Sequence, residues 1–333
     1  MQATDRGAVF QVSMMRALRR RVLTPSVRET QLETRGFHIK NAEAKQQLET
    51  VGRSFLQGYA YAVEARSAEQ AAGWLETVPV AFRGFAYEGA GMGAVVLDSL
   101  TGGAKRLTGI LEGRGRGHTY MIHVGVGWAM ARLPRFLWPE VSGFDPVLRW
   151  LVLDGYGFHQ AYFKTDAYVR DPGAEHPFSW KGGPDAYSAR VIDQGIGRAL
   201  WFVGGTDPDV VAGLIDAYPA HRHGDLYAGA GLACTYAGSA DEDELRRFAE
   251  HAGEHRASLA QGSAFACEAR ERAGTTIAHT YVAARVLCGG RTPGEAARVC
   301  TEAAPEGCDG GDIPAFEIWR QHIAAEITSV PHA

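Results

Sequence analysis

Apolar residues recur every three or four positions through most of this chain. Residues 43–63 follow this spacing, which predicts an amphipathic helix. The same spacing predicts further helices over residues 123–137, 241–260 and 293–304. Strand-like alternation is limited to residues 118–126, which are the best strand candidate. The pattern therefore predicts a mostly α-helical fold.

Short polar motifs mark where several of these helices begin. Ser67 is followed three residues later by Gln70, which is the spacing of a capping box. Thr292-Pro293 places a capping residue before a proline, and proline is favoured in the first turn of a helix. Residues 171–186 and 305–314 are rich in Gly, Pro and Asp, which predicts loops.

The N-terminal residues 1–29 contain a basic amphipathic segment. Apolar side chains recur there at four-residue spacing, with arginines beside them, so a helix is predicted. It could pack on the body of the protein, or it could contact a membrane surface or a partner. The apolar positions are Phe10, Met14, Leu18 and Val22, and the arginines are Arg16, Arg19, Arg20 and Arg21.

An internal similarity suggests a duplicated chain. Residues 84–93 (GFAYEGAGMG) align with residues 224–233 (GDLYAGAGLA) at five identical positions. We therefore expect two similar helical subdomains packed about a pseudo-twofold axis, formed by residues 30–150 and 151–333. Residues 160–185 would be an insertion in the second copy. The interface between two such lobes is a common place for a ligand site.

Composition excludes several protein classes. The 333 residues are 46% hydrophobic, so the chain can bury a sizeable core, and the net charge of −4 argues against a general nucleic-acid binder. No apolar run reaches the ~18 residues of a membrane span. An odd number of irregularly spaced cysteines favours reduced thiols in a cytoplasmic protein. These are Cys234, Cys267, Cys288, Cys300 and Cys308.

The glycine-rich residues 84–93 lack the Gly-Lys-Ser/Thr ending of a phosphate-binding loop. Close helix packing explains the small residues better, because glycine lets two backbones approach. Glu88 stands out, since the aligned position in the second copy is Ala228. A carboxylate present in one copy only is a candidate for chemistry, or else an N-terminal helix residue that satisfies the helix dipole.

Residues 150–163 (WLVLDGYGFHQAYF) place a carboxylate and an imidazole among aromatic rings. Asp154 and His159 are therefore a candidate acid–base pair, because an apolar wall shifts the pKa values of both groups. The alternative is a buried capping aspartate and a hydrogen-bonded core histidine.

The candidate residues fall into two groups. The predicted proton-transfer residues are Glu88, Asp154 and His159. The predicted substrate-binding residues are Arg83, Tyr87, Tyr156, Phe158, Phe163, Arg198 and Trp201. No metal site is expected, because His221 and His223 have no third ligand at characteristic spacing. No cofactor motif is visible.

Three segments resemble a bacterial family encoded in the gene cassettes of enediyne polyketide synthases, beside UnbV-like and UnbU-like proteins. They are residues 83–92 (RGFAYEGAGM), 153–163 (LDGYGFHQAYF) and 193–202 (DQGIGRALWF). The resemblance implies a role in converting a linear polyene into the enediyne core. It also implies UnbV-like and UnbU-like proteins as partners. The UnbU-like neighbours are membrane proteins, so peripheral contact at the inner face of the membrane would suit the N-terminal helix.

Two functions follow from these features. The chain could act on an apolar polyene or polyketide intermediate, positioned by shape and apolar burial because a polyene offers few hydrogen bonds. Alternatively, it could be a non-catalytic scaffold or binding protein for membrane-associated biosynthetic partners.

Overall fold

The computed structural model describes residues 16–103, 105–305 and 313–329, and these residues form helices and connecting segments without a β-strand. Residues 16–23 are helical and are designated α1. The later α-helices are α2 (Leu32–Arg35), α3 (Ala42–Glu64), α4 (Ala68–Leu75), α5 (Val80–Thr101), α6 (Lys105–Glu112), α7 (Thr119–Arg132), α8 (Leu151–Phe163), α9 (Thr165–Tyr168), α10 (Asp185–Val203), α11 (Pro208–Asp216), α12 (His223–Ala237), α13 (Glu242–His251), α14 (Arg256–Ala273), α15 (Ala278–Leu287), α16 (Pro293–Glu302) and α17 (Ala315–Thr328). The predicted mostly α-helical fold is confirmed.

Local sequence signals place several helix ends correctly. The Ser67 side chain accepts a hydrogen bond from the Gln70 backbone N–H at the start of α4. Thr292 and Glu295 form a capping box at the start of α16. The single helix predicted over residues 241–260 is instead two helices, α13 and α14, separated at Gly253, whose φ of +50° interrupts helical geometry.

The strand predicted over residues 118–126 is wrong, because this segment begins helix α7. All ten residues from Met121 to Met130 are buried. A helix that is buried on every side shows no polar face, so the helical period at the start of α7 is weak, although the helix predicted over residues 123–137 overlaps the rest of it. The short alternation in the sequence was therefore not evidence of a strand.

Seven of the longer helices form one row in chain order, each packed on the next: α3, α5, α7, α8, α10, α12 and α14. Helices α3 and α5 run parallel. Gly89 of α5 faces the carbonyl of Phe55 in α3, and Gly93, one turn later, faces the carbonyl of Tyr59, also one turn later. The connections between successive members hold shorter helices, among them α4, α6, α11 and α13.

Paired glycines make the contacts along this row. Each of the five inner helices carries a Gly-x-Gly motif whose first glycine faces the preceding helix and whose second faces the following one. On α7, a Cβ at Gly125 would lie 2.0 Å from the Glu88 carbonyl oxygen, and one at Gly127 would lie 1.9 Å from that of Val152. Only glycine permits such an approach, so the predicted close packing of residues 84–93 is confirmed. The motifs are Gly89/Gly91, Gly125/Gly127, Gly155/Gly157, Gly195/Gly197 and Gly229/Gly231.

The row curves, so that one face is concave and encloses the core. Arg198 of α10 reaches Glu88 of α5, although α7 and α8 lie between them in the row. Arg270 of α14 donates hydrogen bonds to the carbonyls of Ala81 and Tyr236, and so joins α14 to the start of α5 and the end of α12. The molecule therefore has an interior surrounded by helices.

Helix α1 lies against the end of α3. Arg20 forms an ion pair with Glu64 at 2.9 Å, and Arg19 donates to the Ala65 carbonyl. The apolar Leu18 and Val22 remain 60% and 71% exposed. The predicted positions Phe10 and Met14 lie outside the described residues.

Within the described ranges, no helix is both long and apolar enough to cross a membrane. Four of the five cysteines are buried free thiols, and Cys308 lies outside the described residues.

Candidate functional site

The concave face of the row carries a buried charge cluster. Arg198 lies in direct contact with the Asp154 carboxylate, and its Nη2 lies 3.6 Å from Glu88 Oε1. The three side chains come from α10, α8 and α5, and each is no more than 6% exposed. Asp154 and Glu88 each stand directly before the first glycine of a Gly-x-Gly motif, so the packing that brings the helices together also brings the charges together.

Two carboxyl groups in this cluster share one cation, the guanidinium of Arg198. Burial raises the pKa of Glu88 to about 7, although Arg198 opposes the increase. Burial also raises the pKa of Asp154, again against Arg198. Burial would lower the pKa of Arg198, but Asp154 and Glu88 outweigh it and raise that pKa. Asp154 makes the closer contact with the guanidinium, so Glu88 is the group that holds a proton near neutral pH.

A cavity of about 60 Å³ borders the cluster, and Glu88 and Arg198 form part of its wall. The half-buried Glu29 and the exposed Arg132 also line it, so it reaches the protein surface. Most of the wall consists of rings and aliphatic side chains. These include Phe55, Phe85, Met92, Trp128, Phe158, Phe163, Leu232 and Tyr236.

A second cavity, of about 30 Å³, lies beside the first and is lined by Asp154. Arg198, Leu232 and Tyr236 line both cavities and separate them. The guanidinium of Arg198 therefore has Glu88 on the side of the larger cavity and Asp154 on the side of the smaller one.

The structure brings together five of the predicted site residues. Glu88, Phe158, Phe163 and Arg198 line the larger cavity, and Asp154 lines the smaller one. Arg198 also lies over the Phe158 ring, with 5.1 Å between the guanidinium carbon and the ring centroid. These residues form one candidate site from three different helices, α5, α8 and α10.

Arg83 and Tyr87 belong to a different cluster near the start of α5. Arg83 pairs with Glu76 at 2.9 Å, and the Tyr87 hydroxyl donates to the same carboxylate at 2.7 Å. The Tyr87 ring stacks on His118 at a centroid distance of 4.2 Å. Neither predicted residue lines either cavity.

His159, Tyr156 and Trp201 also lie outside the cavity walls. His159 packs edge-on against Trp128, and burial lowers its pKa to about 3, so the ring is neutral near pH 7. Tyr156 accepts a hydrogen bond from Gln160, and the Trp201 indole donates to the Gly238 carbonyl. The structure therefore does not pair Asp154 with His159, and the proposed proton-transfer role of His159 stays a prediction.

The sequence contains a signal for the residues that line the larger cavity, but comparison of residues 84–93 with residues 224–233 alone does not reveal it. The residue directly after each of the five Gly-x-Gly motifs lines the larger cavity. These residues are Met92, Trp128, Phe158, Arg198 and Leu232. Alignment of all five motifs, rather than only those of α5 and α12, would have identified Trp128, Met92 and Leu232.

Among the residues that the structure describes, no group of three or more His, Cys, Asp and Glu side chains is placed to hold a metal ion. Comparison with curated proteins and with solved structures finds no match. A family described as "Protein of unknown function (DUF1702)" matches residues 14–327, which is nearly the whole chain. The chain belongs to this DUF1702 family.

Proposed function

We propose that the chain binds a narrow apolar molecule in the larger cavity and exchanges a proton with it through Glu88. The family resemblance suggests that this molecule is a linear polyene or polyketide intermediate of enediyne core maturation. One observation carries the proposal. A buried carboxyl with a pKa of about 7 faces an apolar cavity that reaches the surface.

The dimensions of the cavity favour a thin ligand. Its volume of about 60 Å³ is well below the ~150 Å³ of an engineered apolar cavity that takes up benzene. A linear chain would therefore have to displace ring side chains such as Trp128 and Phe158, whereas a bulky polycyclic molecule would force whole helices apart. Because glycine contacts set the spacing between the helices, the site should select for molecules no wider than a single hydrocarbon chain.

The charge cluster gives Glu88 its chemical role. Near neutral pH its carboxyl can either donate or accept a proton, since its pKa lies close to the surrounding pH. Arg198 holds a fixed positive charge beside it and stabilises the carboxylate that remains after proton donation. Asp154 binds Arg198 directly and so positions the guanidinium.

Complementation of a deleted gene tests the proton-transfer role. We expect the deletion strain to accumulate an intermediate identifiable by mass spectrometry. Glu88→Gln should fail to restore the product, whereas Glu268→Gln should restore it. Glu268 is also buried, but it pairs with Arg272 at 2.8 Å and does not line either cavity. Full restoration by Glu88→Gln would refute a proton-transfer role for this carboxyl.

Ligand binding is measured separately with a conjugated tetraene fatty acid and its methyl ester, whose fluorescence rises on leaving water. We expect the wild type and Glu88→Gln to bind this probe. Leu232→Trp, which places a large ring in the cavity, should bind it weakly while keeping its helical circular dichroism. Equal binding by all three proteins would show that the probe does not occupy this cavity.

The second candidate is a non-catalytic scaffold or binding protein for membrane-associated biosynthetic partners. The small free volume of the interior favours it, because a largely filled core serves stability better than substrate turnover. Under this alternative, Glu88→Gln and Leu232→Trp would both restore the product, and changes on the surface of α1 would not.

The predicted duplication of residues 30–150 and 151–333 stays a prediction, as do the pseudo-twofold arrangement and the insertion. The Gly-x-Gly motif recurs in five helices rather than two. We infer that the repeated unit is one glycine-bearing helix with its return connection, and that the similarity between residues 84–93 and 224–233 reflects two copies of that unit.

A further inference from the structure

We propose that the surface around the cavity mouth docks onto an anionic lipid bilayer. We call this surface the rim and define it by five apolar side chains that are more than half exposed. They are Leu18 (60%), Val22 (71%), Val27 (54%), Leu100 (57%) and Phe136 (84%). Exposed apolar residues scattered singly need no explanation, but a group of them around one opening does.

Three of the rim residues lie next to the mouth along the chain. Val27 stands between Pro25 and Glu29, which both line the cavity, and Val22 lies three residues before Pro25. Phe136 follows the lining residue Arg132 by four positions, in the segment after α7.

Hydrogen bonds bring the other two rim residues to the same surface. Ser99, beside Leu100, donates to the Leu137 carbonyl at 3.0 Å, which places the end of α5 next to the Phe136 segment. Arg19, beside Leu18, donates to the Ala65 carbonyl, and Arg106 from the start of α6 donates to the same oxygen. The apolar side chains therefore come from separate elements that meet around one opening.

The charges of the rim identify its partner. Exposed basic residues alternate with the apolar ones, namely Arg21, Arg28, Arg132, Arg135 and Lys164. In the part of the chain that the structure describes, none of these five forms an ion pair. Two nearby acidic groups are neutralised, since Glu29 pairs with Arg35 and Glu64 with Arg20, and the exposed Glu140 offsets one of the five positive charges. The rim is thus locally cationic although the whole chain has a net charge of −4.

A cationic surface with protruding apolar side chains fits a bilayer better than an acidic protein. Phe136 projects from a short turn between Pro134 and Pro139, and a projecting ring suits the boundary between headgroups and acyl chains. Each nearby Lys or Arg strengthens attraction to anionic lipids. If the proposed function holds, an apolar ligand would pass between bilayer and cavity without crossing water.

Vesicle co-sedimentation of the full-length protein tests the docking surface without any polyene. Phosphatidylglycerol vesicles should bind the wild type, and phosphatidylcholine vesicles should bind it at least tenfold more weakly. Phe136→Ser should weaken binding to phosphatidylglycerol roughly tenfold, since a buried phenyl ring contributes about one such factor or more. Arg135→Glu should weaken binding and reduce its salt dependence.

Val80→Ser is the matched control. Val80 is 44% exposed and starts the same helix that carries Leu100 near its end, about 30 Å away along the axis. The Val80→Ser protein should bind vesicles as strongly as the wild type does. Equal losses for Val80→Ser and Phe136→Ser, equal binding to both lipids, or binding only to an acidic protein would overturn the proposal. Failure of polyene binding would leave it intact, because the vesicles carry no ligand.

Discussion

Replacement of Gly125 by alanine tests the packing that builds the candidate site. The added Cβ would lie 2.0 Å from the Glu88 carbonyl oxygen and 2.9 Å from the Met92 backbone nitrogen. Cβ atoms do not approach other heavy atoms within 3.0 Å, so α5 and α7 would have to separate by about 1 Å, the difference between 3.0 and 2.0 Å. A gap of that size removes a quarter to a half of the dispersion energy of each contact it opens.

The expected loss can be estimated by comparison with a glycine that has free space. Overpacking of a core costs about 1–3 kcal/mol, and Gly125→Ala recovers ~1 kcal/mol of that as helix propensity. Gly73 lies within α4, and nothing lies within 4 Å of its Cβ position. Gly73→Ala should therefore raise the free energy of unfolding by about 0.5–1 kcal/mol. Because the gain in helix propensity is common to both variants, we expect them to differ by about the overpacking cost, roughly 1–3 kcal/mol.

Urea unfolding, followed by circular dichroism, measures this difference. Gly125→Ala should unfold at a lower urea concentration than the wild type and Gly73→Ala at a higher one, with similar slopes. The shift of the Glu88 backbone should also weaken binding of the tetraene probe by Gly125→Ala. A Gly125→Ala protein as stable as Gly73→Ala would contradict the close approach of α5 and α7.

Three further predictions concern buried and partly buried charges. Wild-type stability relative to Glu88→Gln should fall as pH rises from 4.5 through about 7, because a pKa raised by burial favours the protonated folded state. Across this pH range the difference in unfolding free energy between the two proteins should change by roughly 3 kcal/mol. A difference in urea unfolding that does not vary with pH would refute this prediction. Arg198→Met should destabilise the fold by ~3–5 kcal/mol, since Asp154 would lose its cation, and adding Asp154→Leu should restore much of that loss; a double variant no more stable than the single one would count against the ion pair. Lys40 donates to the Ser239 carbonyl at 2.7 Å and to both carboxylate oxygens of Glu244 at 2.8 Å. Lys40→Met should cost ~2–4 kcal/mol in thermal or urea unfolding, and an unchanged midpoint would show that these bonds contribute little.

Local signals in the sequence were sufficient for much of the secondary structure. The apolar spacing of residues 43–63 matches α3, and the Ser67 and Thr292 motifs mark helix starts as expected. These features depend on residues close together in the chain. The helix predicted over residues 123–137 covers most of α7, but the start of α7 was taken for a strand because burial on all sides weakens the contrast between apolar and polar faces.

The candidate site was predictable only in part. Glu88 stood out against the aligned Ala228 and Asp154 stood out among aromatic residues, but their meeting at Arg198 depends on the packing of three helices. Asp154 and His159 are close in sequence, yet five residues turn a helix by roughly 140°, which directs their side chains to different sides. Trp128 is absent from the predicted site residues because its place directly after a Gly-x-Gly motif becomes informative only when all five motifs are aligned.

The row of helices has a consequence for how the chain assembles during synthesis. Each glycine-bearing helix packs on the one made just before it, so the bundle can grow stepwise from the ribosome, as stacked repeats do. Glu88 is translated early and Arg198 much later. In a nascent chain, Glu88 must therefore stay protonated or exposed to water until α10 is made. Docking of α10 then places the Arg198 guanidinium beside Glu88 and supplies the positive charge of the buried cluster.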